Sequence, residues 1–251
     1  MRNLTLIGIG TGDPGHLTRG AVAAINRADL ILIPLKGDDR ADLAAVRRDL
    51  LAGVLTNPAT RVAEFDLPVR DEATPDYLDR VNDWHDAIAA CWQAAVAAHA
   101  PADRVALLVW GDPSLYDSTL RIAARLDPAP AVEVIPGITA LQALTAAHAI
   151  PLNDLGAPVT ITTGRRLREG WPTGATRVAV MLDAGGAFAA LDPGGVTIWW
   201  GANLGLPSQV LDRGPLAEAG PRILAARADL RARHGWVMDI YLLARTGKTP
   251  A

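Results

Sequence analysis

At 251 residues the chain is long enough for one large domain or two smaller ones, and half of its residues are apolar, enough for a sizeable core. A charged fraction of 20% and a formal net charge of -3 argue against nucleic acid or an anionic membrane as the partner. Cys91 is the only cysteine, which excludes an internal disulfide; its Ala-rich helical surroundings predict a packed thiol rather than a nucleophile. Met1-Arg2-Asn3 runs straight into a strand without the regions of a signal peptide, and no uncharged apolar run reaches ~18 residues. A soluble, cytoplasmic protein is expected.

The first strand is Leu4 to Ile9. Thr18 is a good N-cap for a helix running through Gly20 to Ala28, and a second strand follows at Leu30 to Pro34. Leu43, Val46, Leu50 and Leu51 recur at helical spacing within Ala41 to Val54. Val62 to Leu67 reads as a short strand. The longest helix spans Pro75 to His99, with Val81, Trp84, Ile88, Trp92 and Val96 on one face. Strand Val105 to Trp110, helix Ser118 to Leu126, strand Val132 to Ile135 and helix Thr139 to Ala149 continue the alternation, which implies a mostly parallel, covered sheet. Pro151 and Pro158 then bracket a linker. Beyond it, Val159 to Thr163, Arg177 to Leu182, Val196 to Trp200 and Val237 to Ala244 read as strands of a mixed sheet. One helix is expected after Pro207-Ser208 and another within Pro221 to Arg233. The pattern predicts two α/β domains, 1–152 and 153–251.

Three strands of the first domain end in Gly/Pro turns. Leu4 to Gly10 leads into Gly12-Asp13-Pro14, Val105 to Trp110 into Gly111-Asp112-Pro113, and Val132 to Ile135 into Pro136-Gly137-Ile138-Thr139. Open α/β sheets bind ligands outside the carboxyl ends of their strands. A dinucleotide fingerprint fits poorly, because Asp13 stands where the third glycine belongs and would repel a pyrophosphate; a P-loop fails for want of Gly-Lys-Ser/Thr. Asp13-Pro14 serves equally as an N-cap and first helical residue. Asp112 is suited to accept from an ammonium or hydroxyl group, while Gly111 to Tyr116 also reads as a helix-capping turn. Thr139 reads as an N-cap or, with its neighbouring amides, as a carboxylate site.

Together the three segments resemble the tetrapyrrole methyltransferases of corrinoid and sirohaem synthesis. The family's G-x-G-P-G-D-P-x-x-L-T is matched by Gly8 to Thr18, with Thr11 in place of proline; G-D-P-x-x-[YF] is matched by Gly111 to Tyr116. Val134 to Ala140 matches V-x-P-G-[IV]-[ST]-[AS], and Ala149-Ile150-Pro151-Leu152 matches G-I-P-L with alanine for glycine. The resemblance implies two α/β domains of the tetrapyrrole methylase type with S-adenosylmethionine in the cleft between them. Its cofactor positions fall on Thr11, Trp110, Gly111, Asp112, Leu115, Thr139, Ala140, Met181 and Ala202; for Met181 a core methionine is the competing reading.

Within the family, Lys36-Gly37 to Arg48, Trp199 to Gly205 and His234-Gly235-Trp236 resemble the branch that methylates C1 of precorrin-5 and releases the ring acetyl group as acetate. The alternatives are a C11 or C20 methyltransferase of the same pathway and a non-catalytic tetrapyrrole carrier or sensor. A sulfonium supplies the electrophile, and orientation alone lowers such a barrier by roughly 7–11 kcal/mol, so methyl transfer needs no nucleophile constellation and no metal. The five histidines are scattered. Lys36, Arg165 and Arg166 are the candidates for the substrate's carboxylates, against a bland reading as solvated surface charge. Asp13 and Tyr116, with His16 beside them, are the candidates for acetyl removal. The partner is thus a small-molecule tetrapyrrole, not nucleic acid or membrane, and a homodimer is expected from the family.

Overall fold

A computed structural model of the chain describes residues 1–35, 41–70 and 76–245. The chain divides into two units, Met1–Thr139 and Ala140–Ala251.

The first unit is a five-stranded parallel sheet: β1 (Asn3–Gly8), β2 (Leu30–Leu35), β3 (Arg61–Asp66), β4 (Arg104–Val109) and β5 (Ala131–Ile135), in the order β3-β2-β4-β1-β5. Strand β2, Leu-Ile-Leu-Ile-Pro-Leu, is apolar on both faces because helices cover both. Leu4, Leu6, Leu30, Leu32, Val105 and Leu107 pack with α3 (Tyr77–Ala98) and α4 (Thr119–Ala123). Ile7, Ile9, Ile31, Ile33, Ala106 and Leu108 face α1 (Arg19–Arg27) and α2 (Ala41–Val54). The period of two sorts each strand's side chains between these cores. The Thr18 hydroxyl caps α1 by accepting from the Ala21 amide at 3.0 Å, as its sequence predicts. In α3, Ile88, Trp92 and Val96 enter the core with Trp84 packed against them. Cys91 is a free, half-buried thiol on that helix.

The second unit opens with α5 (Ala140–His148) and holds a mixed sheet of β6 (Thr160–Thr163), β7 (Arg177–Met181), β8 (Val196–Ala202), β9 (Val210–Pro215) and β10 (Asp239–Arg245), in the order β6-β7-β10-β8-β9. Only β6 and β7 are parallel. Val178, Val180, Ile198, Trp200, Tyr241 and Leu243 share one core with α7 (Leu216–His234), where Phe188 meets Tyr241 edge to face at 5.2 Å. Helix α5 packs on β8 and β10, and its His148 Nε2 lies 3.0 Å from the Trp200 carbonyl. The helix expected after Pro207-Ser208 is instead β9, antiparallel to β8, and α7 begins at Leu216, ahead of Pro221. Short polar strands such as Val-Leu-Asp-Arg-Gly-Pro carry little local signal; the ladder to β8 decides them. The short helix α6 (Gly164–Leu167) is a further element that the pattern did not reveal.

Candidate functional site

In the first sheet, the chain leaves β1 toward β2 on one side and β4 toward β5 on the other. The topological switch point therefore falls between neighbouring β1 and β4, whose exits are the two Gly-Asp-Pro loops. The loops are joined by an isolated bridge: the Gly111 amide donates to the Gly10 carbonyl at 2.7 Å, and the Gly10 amide to the Gly111 carbonyl at 3.3 Å. The β5 exit closes on both. A Cβ on Gly137 would lie 2.0 Å from the Gly111 oxygen, and one on Gly8 would lie 2.6 Å from the Gly137 nitrogen. Three strand ends thus meet backbone to backbone, which residues with side chains do not permit.

Asp112 ties these loops together. One carboxylate oxygen accepts from the Ser114 amide (2.8 Å) and hydroxyl (2.5 Å), and the other from the Gly137 amide (2.9 Å). Partial burial pushes this carboxyl up, but the bonds from Ser114 and Gly137 outweigh it and hold it below the ordinary aspartate value. Asp112 is thus a bridge between two loops before it is a ligand contact. Trp110 is half-buried against the α1/α2 core, with the Arg47 guanidinium 5.9 Å from its ring centre. Arg47 also donates to the Leu108 carbonyl at 3.1 Å; burial lowers its pKa to about 10, although Asp117 opposes the shift. Leu115 is half-buried, while Tyr116 is 43% exposed and adopts φ 50°. Thr139, at the end of this unit, has its Cα 3.9 Å from where a Gly111 Cβ would stand.

In the first loop, the Asp13 carboxylate accepts from the Gly15 amide at 2.7 Å and caps the single turn Pro14–His16, so the capping reading holds. Thr11 is buried, and its hydroxyl lies 3.0 Å from His16 Nδ1.

The second unit has its own loop-bearing edge. Register places Thr163 beside Met181 and Asp239 beside Ala202, so the ends of β6, β7 and β8 and the start of β10 lie along one side. Met181 is half-buried at that edge and Ala202 fully buried; Ala140 is half-buried at the start of α5. Arg165 and Arg166 are exposed on α6, where Arg166 pairs with Glu169 at 2.8 Å. Lys36 lies outside the described residues.

A charged and aromatic network that the sequence pattern did not reveal underlies this edge. Buried Asp183 accepts from the Tyr241 hydroxyl (2.7 Å), the Ala187 and Gly185 amides (2.6 and 3.1 Å) and Arg168 (3.2 Å). Arg227 donates to the Asp183 carbonyl at 2.7 Å and pairs with Asp239, which also accepts from the Trp200 indole at 2.7 Å. Burial pushes the Asp239 carboxyl up to about 6, against Arg227 and Trp200, which pull it down. Leu182-Asp183 before Ala184-Gly185-Gly186 reads in sequence only as a turn; the distant Arg227 and Tyr241 make it a site.

Backbone strain marks the same places. Four non-glycine residues among those described have positive φ: Tyr116 (50°), Ala149 (53°), Leu182 (52°) and Asn203 (50°). Three follow the exits of β4, β7 and β8, and such strain concentrates at ligand-handling sites. No group of histidine, cysteine and acidic residues among the described residues could hold a metal ion.

Comparison with known proteins agrees with this layout. Residues 3–220 match the model of the Tetrapyrrole (Corrin/Porphyrin) Methylases. The chain belongs to the tetrapyrrole methylase family. Over 250 residues it is 46% identical to the precorrin-6A synthase [deacetylating] of a Sinorhizobium species, covering 98% of this chain and 96% of that protein. A precorrin-2 C(20)-methyltransferase from Sinorhizobium is 34% identical over 72% of this chain and 73% of its own. The crystal structure of a cobalamin synthesis related protein (CobF) from Corynebacterium diphtheriae superposes with a TM-score of 0.83 at 38% identity, covering 98% of this chain and all of that one. The uroporphyrin-III C-methyl transferase of Thermus thermophilus, solved with S-adenosyl homocysteine, shares the fold (TM-score 0.60, 17% identity, 96% of this chain and 97% of that one). In this tetrapyrrole methylase, Ala149 stands where the family motif has glycine, and its φ of 53° is the physical reason for that glycine. No helix among the described residues is long and apolar enough to cross a membrane.

Proposed function

We propose that this tetrapyrrole methylase is an S-adenosylmethionine-dependent C-methyltransferase of corrin-ring biosynthesis, converting precorrin-5 to precorrin-6A by methylation at C1 with loss of acetate. The observation that carries the reading is the likeness to a deacetylating precorrin-6A synthase along nearly the whole of both chains.

The donor set at the loop edge fits the proposed cofactor. It offers the second acceptor lone pair of the Gly10 and Gly111 carbonyls, whose first is used in the bridge between the loops, and the half-buried face of Trp110. Asp13 beside them disfavours a phosphate ligand. The cofactor's sulfonium supplies an electrophilic methyl group; the protein's task is to orient and to exclude water. Gly111, Leu115 and Thr139 are proposed to hold it, and Ala140, Met181 and Ala202 are proposed as further cofactor positions. Arg165 and Arg166, exposed at the end of β6, are proposed to meet the ring's carboxylates. Tyr116, exposed and strained at the β4 exit, is proposed to face the ring. We further propose that the enzyme works in the cytoplasm as a homodimer, which light scattering checks.

Incubation with precorrin-5 and isotope-labelled S-adenosylmethionine tests the reading. Mass spectrometry is expected to show gain of one labelled methyl and loss of the acetyl group, with acetate released in equal amount. The 34% identity to a C(20)-methyltransferase favours a second reading, for which the outcome is methyl gain on a precorrin with no acetate.

A further inference from the structure

The proposed reaction demands more than methyl transfer. A ring-borne acetyl group leaves as acetate only if an oxygen nucleophile attacks its carbonyl, and a water does so efficiently at neutral pH only beside a base. Of the candidates in the first loop, Asp13 is committed as a cap: its carboxylate accepts from the Gly15 amide at 2.7 Å and fixes the turn. His16, at the end of that same turn, is arranged differently. Its Nδ1 is 3.0 Å from the hydroxyl of buried Thr11, and no other hydrogen bond to its ring is made among the described residues. A histidine held by a partner on one ring nitrogen, with the other directed elsewhere, has the base-and-orienter geometry of acyl-transfer sites.

The backbone reinforces this arrangement. A Cβ on Gly10 would lie 2.5 Å from the His16 Cβ, so the imidazole's stem packs directly on the residue that bridges to Gly111. The imidazole is thereby fixed to the switch-point edge rather than to the periphery. Position 11 carries proline in the family motif, and proline has no hydroxyl. The threonine that departs from the motif is the residue that touches His16.

On the reading under Proposed function, we infer that His16 is the general base for acetyl removal and that Thr11 is its positioning residue. His16 Nε2 takes a proton from a water whose oxygen bonds to the acetyl carbonyl carbon. The carbon–carbon bond to the ring then breaks, its electron pair passes into the conjugated macrocycle, and acetate departs bearing the water oxygen. Water is the only co-reactant, and nothing is oxidised or reduced in this step.

Acetate release from precorrin-5, measured in single turnovers, is the test. His16→Ala and His16→Gln are expected to lower its rate at least 100-fold, with added imidazole restoring part of the rate in His16→Ala. Thr11→Val is expected to lower it 10-fold or more while Thr11→Ser keeps it within threefold; a merely structural Thr11 gives no such split by the hydroxyl. In 18O-water the wild-type enzyme is expected to release acetate carrying one solvent oxygen, a measurement that needs no variant to fold. Acetate release within threefold of wild type in His16→Gln, or acetate free of solvent oxygen, overturns the inference. A wild-type enzyme that methylates another precorrin and releases no acetate overturns the functional reading instead. Calorimetry with S-adenosylhomocysteine on His16→Ala separates loss of the base from loss of the cofactor site: intact binding with lost acetate release supports His16 as base, and loss of both overturns it.

Discussion

The two units each present an edge of strand ends, and they build it by opposite means. In the first, Gly8, Gly111 and Gly137 let three loops touch through bare backbone, and the Asp112 side chain ties two of them. In the second, the exits of β7 and β8 rest on side chains: Asp183, Arg227, Asp239, Trp200 and Tyr241 form a buried network beneath Met181 and Ala202. The first edge excludes side chains so that backbone can pack on backbone across the loops. The second uses side chains to hold strained backbone, at Leu182 and Asn203, in place. An edge of the first kind breaks when an atom is added, and one of the second kind when a charge changes.

The largest expected effect is therefore a single carbon. Gly137→Ala places a Cβ 2.0 Å from the Gly111 oxygen, and the three loops must part. A loss of more than about 3 kcal/mol is expected by urea denaturation, beyond ordinary overpacking because the obstacle is backbone. Gly53→Ala, in α2 with nothing within 4 Å, is the control and is expected to stabilise by about 0.5–1 kcal/mol. Equal effects at the two positions would break the comparison.

Titration probes the other edge. The Asp239 carboxyl, at about 6 in the folded protein, lies above its unfolded value of 3.8. The folded state therefore holds this proton more tightly, so the contribution is fully present below about 3.8 and is lost as pH rises through about 6. Wild type minus Asp239→Asn, measured by denaturation from pH 4 to pH 7, is expected to fall by up to about 3 kcal/mol across that window. A flat difference would show that Arg227 compensates the buried charge in full.

Asp112→Asn sharpens the first edge. An amide nitrogen cannot accept from the Gly137 amide, so one of the two anchors of that side chain is lost. A cost of about 1.5–3 kcal/mol is expected, with hydrogen exchange at the Gly137 amide accelerated. The smallest effect is at Ala149, whose φ of 53° suits glycine. Ala149→Gly is expected to change stability by less than about 1 kcal/mol, relief of strain offsetting the entropy of the unfolded glycine; thermal unfolding reads it.

Much of the first edge was legible in the chain. The strand exits, their glycines and the Asp-Pro caps are local signals, and the alternating apolar residues of β1, β2 and β4 sorted themselves between two helical layers as their period requires. Lys36 lies outside the described residues, and Arg166 has an acidic neighbour three residues on, which is also a local fact. The second edge was hardly legible. Val210–Pro215 became a strand only because β8 lies beside it, and Asp183 reaches partners 44 and 58 residues away in Arg227 and Tyr241.

The sequence by itself determined the fold class, the three glycine exits and, through its motifs, the family. It did so because backbone turns and amphipathic periods depend on near neighbours. Tertiary structure alone decided what the other polar groups do: that Asp112 bridges two loops, that Thr11 meets His16, and that five distant residues share one buried network. Hydrogen bonds and charge pairs act over about 3 Å in space whatever the separation along the chain, so composition and spacing cannot assign them.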